Sequence, residues 1–481
     1  MASSFGGINT ALSSLYAQRR ALDITGQNIA NVNTAGYTRQ RAEMQSQVGS
    51  MTPAMYAKTD GLGTGVGISD VQRLRDQYAE NRGRAEHGNS AYLANQAGAY
   101  STIEDTFAEP SDTALQSQMH DMWASWNDVS NNPQLTATRS TLLQQSSTVA
   151  DGLNAAHNAL AGQFEQTRTQ LSAYSDEVNT AAQSIAQLND SIVRAKATGI
   201  TVNELEDQRD STVMHLSELT GATAALRKNG AMDVFVGNST LVSEFTTRTM
   251  AVSGAPTLLS VGVAGPAALS WADTGSAVGA GGTMGGMLNT LTTIIPTTSG
   301  KLDKVAQNLA DSVNALHAPA FGIHGSTGVD FFIKRPPVDP AVTTITAANI
   351  MVGITDPDEV AVSSTDPNVI TPPATSGTLD NTVADALADI GDAAGGPDRD
   401  YQSMIGQLGV DSQATSRRSD IQDNVTEQVD ATREATSGVN LDEEMTNLLT
   451  YQRGYEAASR VLTTIDSMLD QLINRTGLVG R

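Results

Sequence analysis

Apolar residues recur at alternating steps of three and four at both ends of the chain and through long stretches between them. Over residues 5–31, Ile8, Leu12, Leu15, Leu22 and Ile29 share one helical stripe, which Arg19 and Gly26 interrupt. Asn33 and Gly36 tolerate positive φ and predict the stop. The C-terminal counterpart is unbroken: Leu441, Met445, Leu448, Tyr451, Tyr455, Ala458, Leu462, Ile465, Leu469 and Leu472 predict a helix of roughly 50 Å at about 1.5 Å per residue. Residues 86–108, 112–130, 134–197 and 203–219 read as helices separated by Glu109-Pro110, Asn131-Asn132-Pro133 and Thr198-Gly199. At Asn229-Gly230 the period changes to two, with Met232, Val234 and Val236 alternating, and a second turn signal at Gly237-Asn238 precedes Leu241 and Val242. Helical patterning returns at 301–317. Seven of the fifteen prolines then fall between Pro336 and Pro373, around an alternating strand at Ile350, Val352 and Ile354. Residues 374–400, rich in Asp, Gly, Ala and Thr, predict a partly mobile stretch before helix resumes near Tyr401.

The pattern is nested, with helix at both ends, helical bundle inside and β modules in the middle, so the two termini come together. It predicts a mainly α, multi-domain α+β fold with paired N- and C-terminal coiled-coil helices, a central helical bundle and small β-rich inserts. At 481 residues the chain exceeds one compact core. The expected division is a terminal axial coiled-coil domain from 1–45 with 430–481, and a central helical domain from 46–228 with 281–320 and 401–429. A β-rich insert at 229–280 and an outer β or loop-rich domain at 321–400 complete it.

Charge and composition narrow the possible partners. Lys and Arg number 29 against 52 Asp and Glu, a formal net charge of −23, with no basic stripe to hold a polyanion, which argues against nucleic acid. Cysteine is absent, excluding disulfides, thiol nucleophiles and thiolate metal sites. The start, MASSFGGINTALSSLYAQRR, lacks the basic region and apolar core of a cleavable signal, and no apolar run is long enough to insert in a membrane. Aromatic residues are 4 %, so Leu, Ile, Val and Met carry most of the packing.

Isolated motifs give no convergent chemistry. Gly61, Gly63, Gly65 and Gly67 lack the G-x-G-x-x-G spacing, and GAGGTMGGM at 279–287 lacks the Lys and hydroxyl of a phosphate loop. His317 and His324 have no carboxylate at metal-ligand spacing; a helix cap and a turn are expected. His324-Gly325-Ser326-Thr327-Gly328 has His where a nucleophile elbow needs its first Gly. Asp356-Pro357-Asp358-Glu359 reads as a solvated turn. Asp207-Gln208-Arg209-Asp210 and Arg417-Arg418 read as surface pairing on helices. No catalytic, cofactor-binding or metal-binding residues are expected.

Several segments carry a resemblance. ALDITGQNIANVNTAGYTRQ at 21–40 is similar to the signature shared by the rod, hook and hook-associated axial proteins of the bacterial flagellum, and GTGVGISDVQRLRDQYAENRGR at 63–84 is similar to the block that follows it. NELEDQRDSTVMHLSEL at 203–219, the strand MDVFVGNSTLV, and SGVNLDEEMTNLLTYQRGYEAASRVLTTIDSMLDQLIN at 437–474 resemble the hook-associated members in particular. The resemblance is weak from about 321 to 400. It implies a structural subunit of the hook–filament junction that polymerises through its terminal helices. A hook or distal rod subunit, or a neighbouring hook-associated protein, is the alternative. It further implies type III export, unfolded and without a cleavable signal, to the extracellular flagellum. The implied partners are other copies, the hook protein, a neighbouring hook-associated protein, and a small export chaperone with the export apparatus. Together with the periodicity it nominates Ile8, Leu12, Leu15, Leu22, Ile29, Leu441, Met445, Leu448, Tyr455, Leu462, Ile465, Leu469 and Leu472 as the assembly interface.

Overall fold

The structure, a computed structural model, describes residues 4–47, 63–336, 344–369 and 379–475. In chain order the elements are α1 (Ser4–Ala30), β1 (Gln40–Gln47), β2 (Gly65–Arg73), α2 (Gln77–Phe107), α3 (Leu115–Asn131), α4 (Thr136–Ala197) and α5 (Asn203–Thr220). There follow β3 (Thr223–Leu226), β4 (Met232–Val236), β5 (Ser239–Ser243), β6 (Thr246–Thr247), β7 (Met250–Ser253), α6 (Val261–Ala264) and β8 (Ala268–Trp271). Last come α7 (Gly282–Asn289), α8 (Ile295–His317), β9 (Phe332–Lys334), β10 (Ile350–Val352), α9 (Thr382–Ala388), α10 (Pro397–Ser437) and α11 (Leu441–Arg475). The fold is mainly α with small antiparallel sheets, as the periodicity predicted. The chain forms two compact units. One comprises 1–89, 178–249 and 423–481, the other 90–177 and 250–422, and α2, α4 and α10 have residues in both.

In the first unit, α1 packs against α11 and against the β1–β2 hairpin, whose register runs from Gln40 opposite Arg73 to Gln47 opposite Gly65. Helix α5 ends at Gly221, whose left-handed conformation turns its N–H back to Ser217 O. The meander β3-β4-β5-β6 follows, turning at the expected Gly230 and Gly237. It is tied to α4 by Asn189, whose amide donates to Met232 O and Glu244 O while its carbonyl accepts from Met232 N.

The second unit is centred on α3 and α8. Met119, Met122, Trp126 and Val129 form the buried face of α3, and Leu302, Val305, Leu309 and Val313 that of α8. Trp126 packs on Phe331, ring centroids 5.2 Å apart, and Phe331 on Phe332 at 5.0 Å. Arg139, fully buried, donates to the carbonyls of Pro133, Pro357 and Val360, and burial lowers its pKa to about 10. Arg139→Leu strands these carbonyls and should cost about 2–4 kcal/mol; urea unfolding with an unchanged slope is the measurement.

Three elements depart from expectation. The helical run at 301–317 extends back through a π turn at Thr290–Ile294 to Gly282. Its glycines permit this: a Cβ on Gly286 would lie 2.8 Å from Tyr92 O, and one on Gly285 3.2 Å from the Tyr92 ring. Close approach offsets the helix penalty of about 1 kcal/mol per glycine. Within 374–400, α9 and a 3-10 turn at Asp389–Asp392 are ordered and α10 begins at Pro397. Residues 374–378, Gly61, and Pro337, Pro340, Pro372 and Pro373 lie outside the described residues. The β1–β2 hairpin was not anticipated at all.

Candidate assembly interface

Helix α1 meets α11 through small residues. Ala11, Ala17, Ala21 and Ile24 are its buried apolar positions. A Cβ on Gly7 would lie 3.1 Å from Ile465 Cδ1, and one on Gly454 would lie 2.8 Å from Gln18 Cδ. Ile8, Leu15, Leu22 and Ile29 stay half-buried beside that face, and Leu12 is exposed. On α11, Leu448, Tyr451, Leu462, Ile465 and Leu469 are half-buried and Ala458 is buried. Leu441, Met445, Tyr455 and Leu472 are exposed. The nominated residues therefore divide into a half-buried set, which the structure gathers along the helix pair, and an exposed set, which it does not cover. Leu449, Val461 and Met468, which the periodicity passed over, join the exposed set.

Alanine contacts contribute on the order of 1 kcal/mol each, so the polar joint at the base of the pair matters. Asn28 is its hub: Nδ2 donates to Gln40 O at 2.8 Å and to Glu444 Oε2 at 3.0 Å, and Oδ1 accepts from Tyr37 OH at 2.8 Å and Gln40 N at 3.0 Å. Arg39 holds Glu444 at 2.8 Å and Glu443 at 2.6 Å. Above it, Ala21, Ile24, Ala42 and Val71 form a small apolar cluster with Met44, Ile68 and Tyr451 against it. Gly65, at φ +119°, lets β2 pass α1, since a Cβ there would lie 2.0 Å from Ser13 Oγ.

Behind the joint lies a buried ion network. Arg73 reaches Glu206 at 2.9 Å, Asp207 at 2.7 Å and Asp210 at 2.9 Å; Arg75 binds Asp210 and, at 2.6 Å, Glu80; Arg433 binds Glu80 at 3.3 Å and Asp430 at 2.6 Å. Thr38 N donates to Asp207, and Asn203 donates to Gln40 Oε1 and Val71 O. Burial pushes the Asp210 carboxyl up, but Arg75, Arg73 and Arg209 outweigh it and hold it below the usual range. Burial, then Asp207, raises Tyr37 to about 12. The reading of Asp207–Asp210 as surface pairing is thus corrected: Asp207, Arg209 and Asp210 are buried, and Arg209 donates to Gly230 O and Asn189 Oδ1. Local spacing could not reveal this, because Arg73 and Asp207 are 134 positions apart.

His87 bridges Glu218 at 3.1 Å and Asp430 at 2.9 Å, with Arg433 also on Asp430 and His215 beside Glu218 at 3.7 Å. The Glu218 hydrogen bond, against burial, raises the His87 pKa, with Asp430 adding to it. Its unfolded pKa is about 6.5. The bridge's stabilisation is therefore complete below that value and is lost as pH rises through the higher folded value. His87→Gln should flatten the decline of melting temperature between about pH 6 and 9; melting curves across that range are the check.

The other motifs find structural places. His317 is buried, with Nδ1 on Val329 O at 2.9 Å and Nε2 accepting from Ala361 N at 2.8 Å, and burial lowers its pKa to about 4. His324 is exposed in a turn; Asp356 caps the turn at Pro357–Glu359; Arg417 and Arg418 are exposed on α10. Among the described residues no group of three His, Asp or Glu is arranged to hold a metal ion, and no helix is long and apolar enough to cross a membrane.

The geometry defines a class of protein: a helical subunit that gathers its two chain ends into one antiparallel pair and locks them to its body through a buried polar joint. Known proteins give that class a name. Residues 100–332 match the family described as flagellar hook-associated protein FlgK helical domain, 433–475 the flagellar basal body rod FlgEFG protein C-terminal family, and 8–38 the flagella basal body rod protein family. The chain is 28 % identical to flagellar hook-associated protein 1 of Bacillus subtilis (strain 168), over 100 % of both chains. It is 27 % identical to that of Escherichia coli (strain K12), over 97 % of this chain and 99 % of the relative. The solved flagellar hook junction protein FlgK from Burkholderia pseudomallei has the same fold, with a TM-score of 0.62 at 15 % identity, covering 74 % of this chain and 100 % of that one. Along its whole length the chain is thus similar to flagellar hook-associated protein 1, a flagellar structural protein, and residues 100–332 match the helical domain of that family.

Proposed function

We propose that this chain forms the junction between hook and filament and is required for filament assembly, polymerising through its terminal helices without catalytic activity. The observation that carries the reading is the apolar surface the pair leaves uncovered. Met445 is 50 % exposed, Val461 50 %, Met468 57 % and Leu472 55 %, all on one 35-residue helix. Residues 1–45 with 430–481 form the axial domain in this reading, 46–228 with 281–320 and 401–429 the central one, and 229–280 and 321–400 the outer modules. The nominated interface residues, Ile8 to Ile29 on α1 and Leu441 to Leu472 on α11, meet neighbouring copies, the hook protein and the next hook-associated protein. Before assembly the same α11 stripe suits a small export chaperone. The chain reaches the cell exterior through the flagellar export apparatus without a cleavable signal.

Electron microscopy of cells lacking the chain, with an assay for filament subunit in the medium, tests the reading. Completed hooks without filaments, and filament subunit lost to the medium, are expected. Missing hooks would move the chain to rod or hook, and normal filaments would refute the assignment.

A further inference from the structure

The terminal pair carries its charge in bands along its length. Gly7 lies against Ile465, Gln18 against Gly454, and Asn28 bonds Glu444. One step up α1 therefore matches one step down α11, and every residue of one helix has a level on the other. Arg19 stands level with Arg453, Arg20 with Gln452 and Leu12 with Arg460. This middle band holds four arginines and one carboxylate, Glu456, which accepts from Gln452 at 3.5 Å. All four arginines are exposed, and none forms an ion pair among the described residues. The contrast within the same unit is sharp, since Arg39, Arg73, Arg75, Arg227 and Arg433 are all paired there. Level with the start of α1 lies the exposed Asp466, and one turn further along α11 the exposed Asp470. At the joint Asp23, Asp442, Glu443 and Glu444 outnumber Arg39.

Copies of a chain with net charge −23 repel one another at long range, so whatever holds them side by side must be complementary at short range. Two pairs set side by side in register place arginines against arginines. Offset along the axis by about twelve residues, roughly 18 Å at 1.5 Å per residue, they place the arginine band of one against the Asp466 and Asp470 band of the other. Arg19 adds a second reason. It occupies a leucine's place in the stripe of Leu12, Leu15 and Leu22, and a guanidinium packed there needs a carboxylate or destabilises the seam.

We propose that Arg19, Arg20, Arg453 and Arg460 form an interaction surface for the Asp466–Asp470 segment of a second copy, and that this pairing sets the axial stagger between neighbours. The proposal rests on the terminal helices being the assembly surface, so its test includes a variant that probes that reading alone. Cells carrying Arg19→Glu with Arg20→Glu as their only copy should show at least tenfold fewer filaments, and adding Asp466→Lys with Asp470→Lys should restore them. Loss without restoration would overturn the choice of partner. Wild-type filament numbers in the first variant, with filaments abolished by the uncharged-to-charged Met445→Asp, would overturn the charge pairing and leave the seam standing. Normal filaments in both would overturn the seam and this proposal with it.

Discussion

Replacing Asp210 with alanine should lower the unfolding free energy of the unit that contains it by about 3–5 kcal/mol, the cost of leaving buried cations without their counter-charge. Asp210 is 4 % exposed and takes Arg73 and Arg75 on one carboxylate oxygen, while Arg209 approaches the other at 3.6 Å. Its removal leaves Glu206 and Asp207 for Arg73, and Glu80 for Arg75, without the carboxylate the two arginines share. An exposed pair provides the scale: Asp151, 68 % exposed and 3.3 Å from Arg335, should cost less than about 1 kcal/mol when replaced by alanine. Denaturant unfolding of both variants is the measurement, and equal losses would show that the network contributes no more than a surface contact. The pH dependence has a definite sign. The Asp210 carboxyl is held below its unfolded value of about 3.9, so its contribution is present above that value and is lost as pH falls through the lower folded one. Acid should therefore weaken the joint, whereas the His87 bridge weakens as pH rises, and the first unit should be most stable between the two.

The long helices were legible because helical periodicity is a local property. The signals for the stripes of α1 and α11, for the turns at Gly230 and Gly237, and for the alternation of Met232, Val234 and Val236 each lie within a few neighbouring residues. The joint was not legible, because its partners are far apart in sequence: Asn28 and Glu444 are 416 positions apart, and Arg39 and Glu443 are 404. Composition hid it as well, since a helix reading Glu-Leu-Glu-Asp-Gln-Arg-Asp looks like a solvated face until arginines from another strand are found on it. Strand β1, QRAEMQSQ, was missed for a related reason. Only Ala42 and Met44 turn toward the cluster under α1, too short an alternation to register, and its partner strand begins beyond residues 48–62. Hydrophobic periodicity marks the leucines of α1, whereas within the subunit the helix pair closes on alanines and glycines because these allow the backbones to approach. The larger apolar side chains are consequently left partly uncovered.

That division separates folding of the subunit from assembly in the proposed reading, and it decides which substitution tests the seam. A charge at Leu448 enters a half-buried position, so Leu448→Asp disturbs the helix pair and any polymer contact together. Met445 is half exposed on the same helix, and an aspartate there remains hydrated in the isolated chain. Met445→Asp should leave the melting temperature within about 1 °C, because surface substitutions stay within about 0.5 kcal/mol. In a polymer that covers the position, the same carboxylate loses its water without gaining a partner, a penalty of several kcal/mol for every copy incorporated. Filaments should then be absent from cells carrying only this variant, while the purified protein melts as the wild type does. Met445→Leu, which keeps the apolar surface, should assemble normally. If Met445→Asp also supported normal filaments, the exposed stripe on α11 would be solvent-facing in the assembled structure, and the surface that joins copies would have to be sought on α1 or on the second unit.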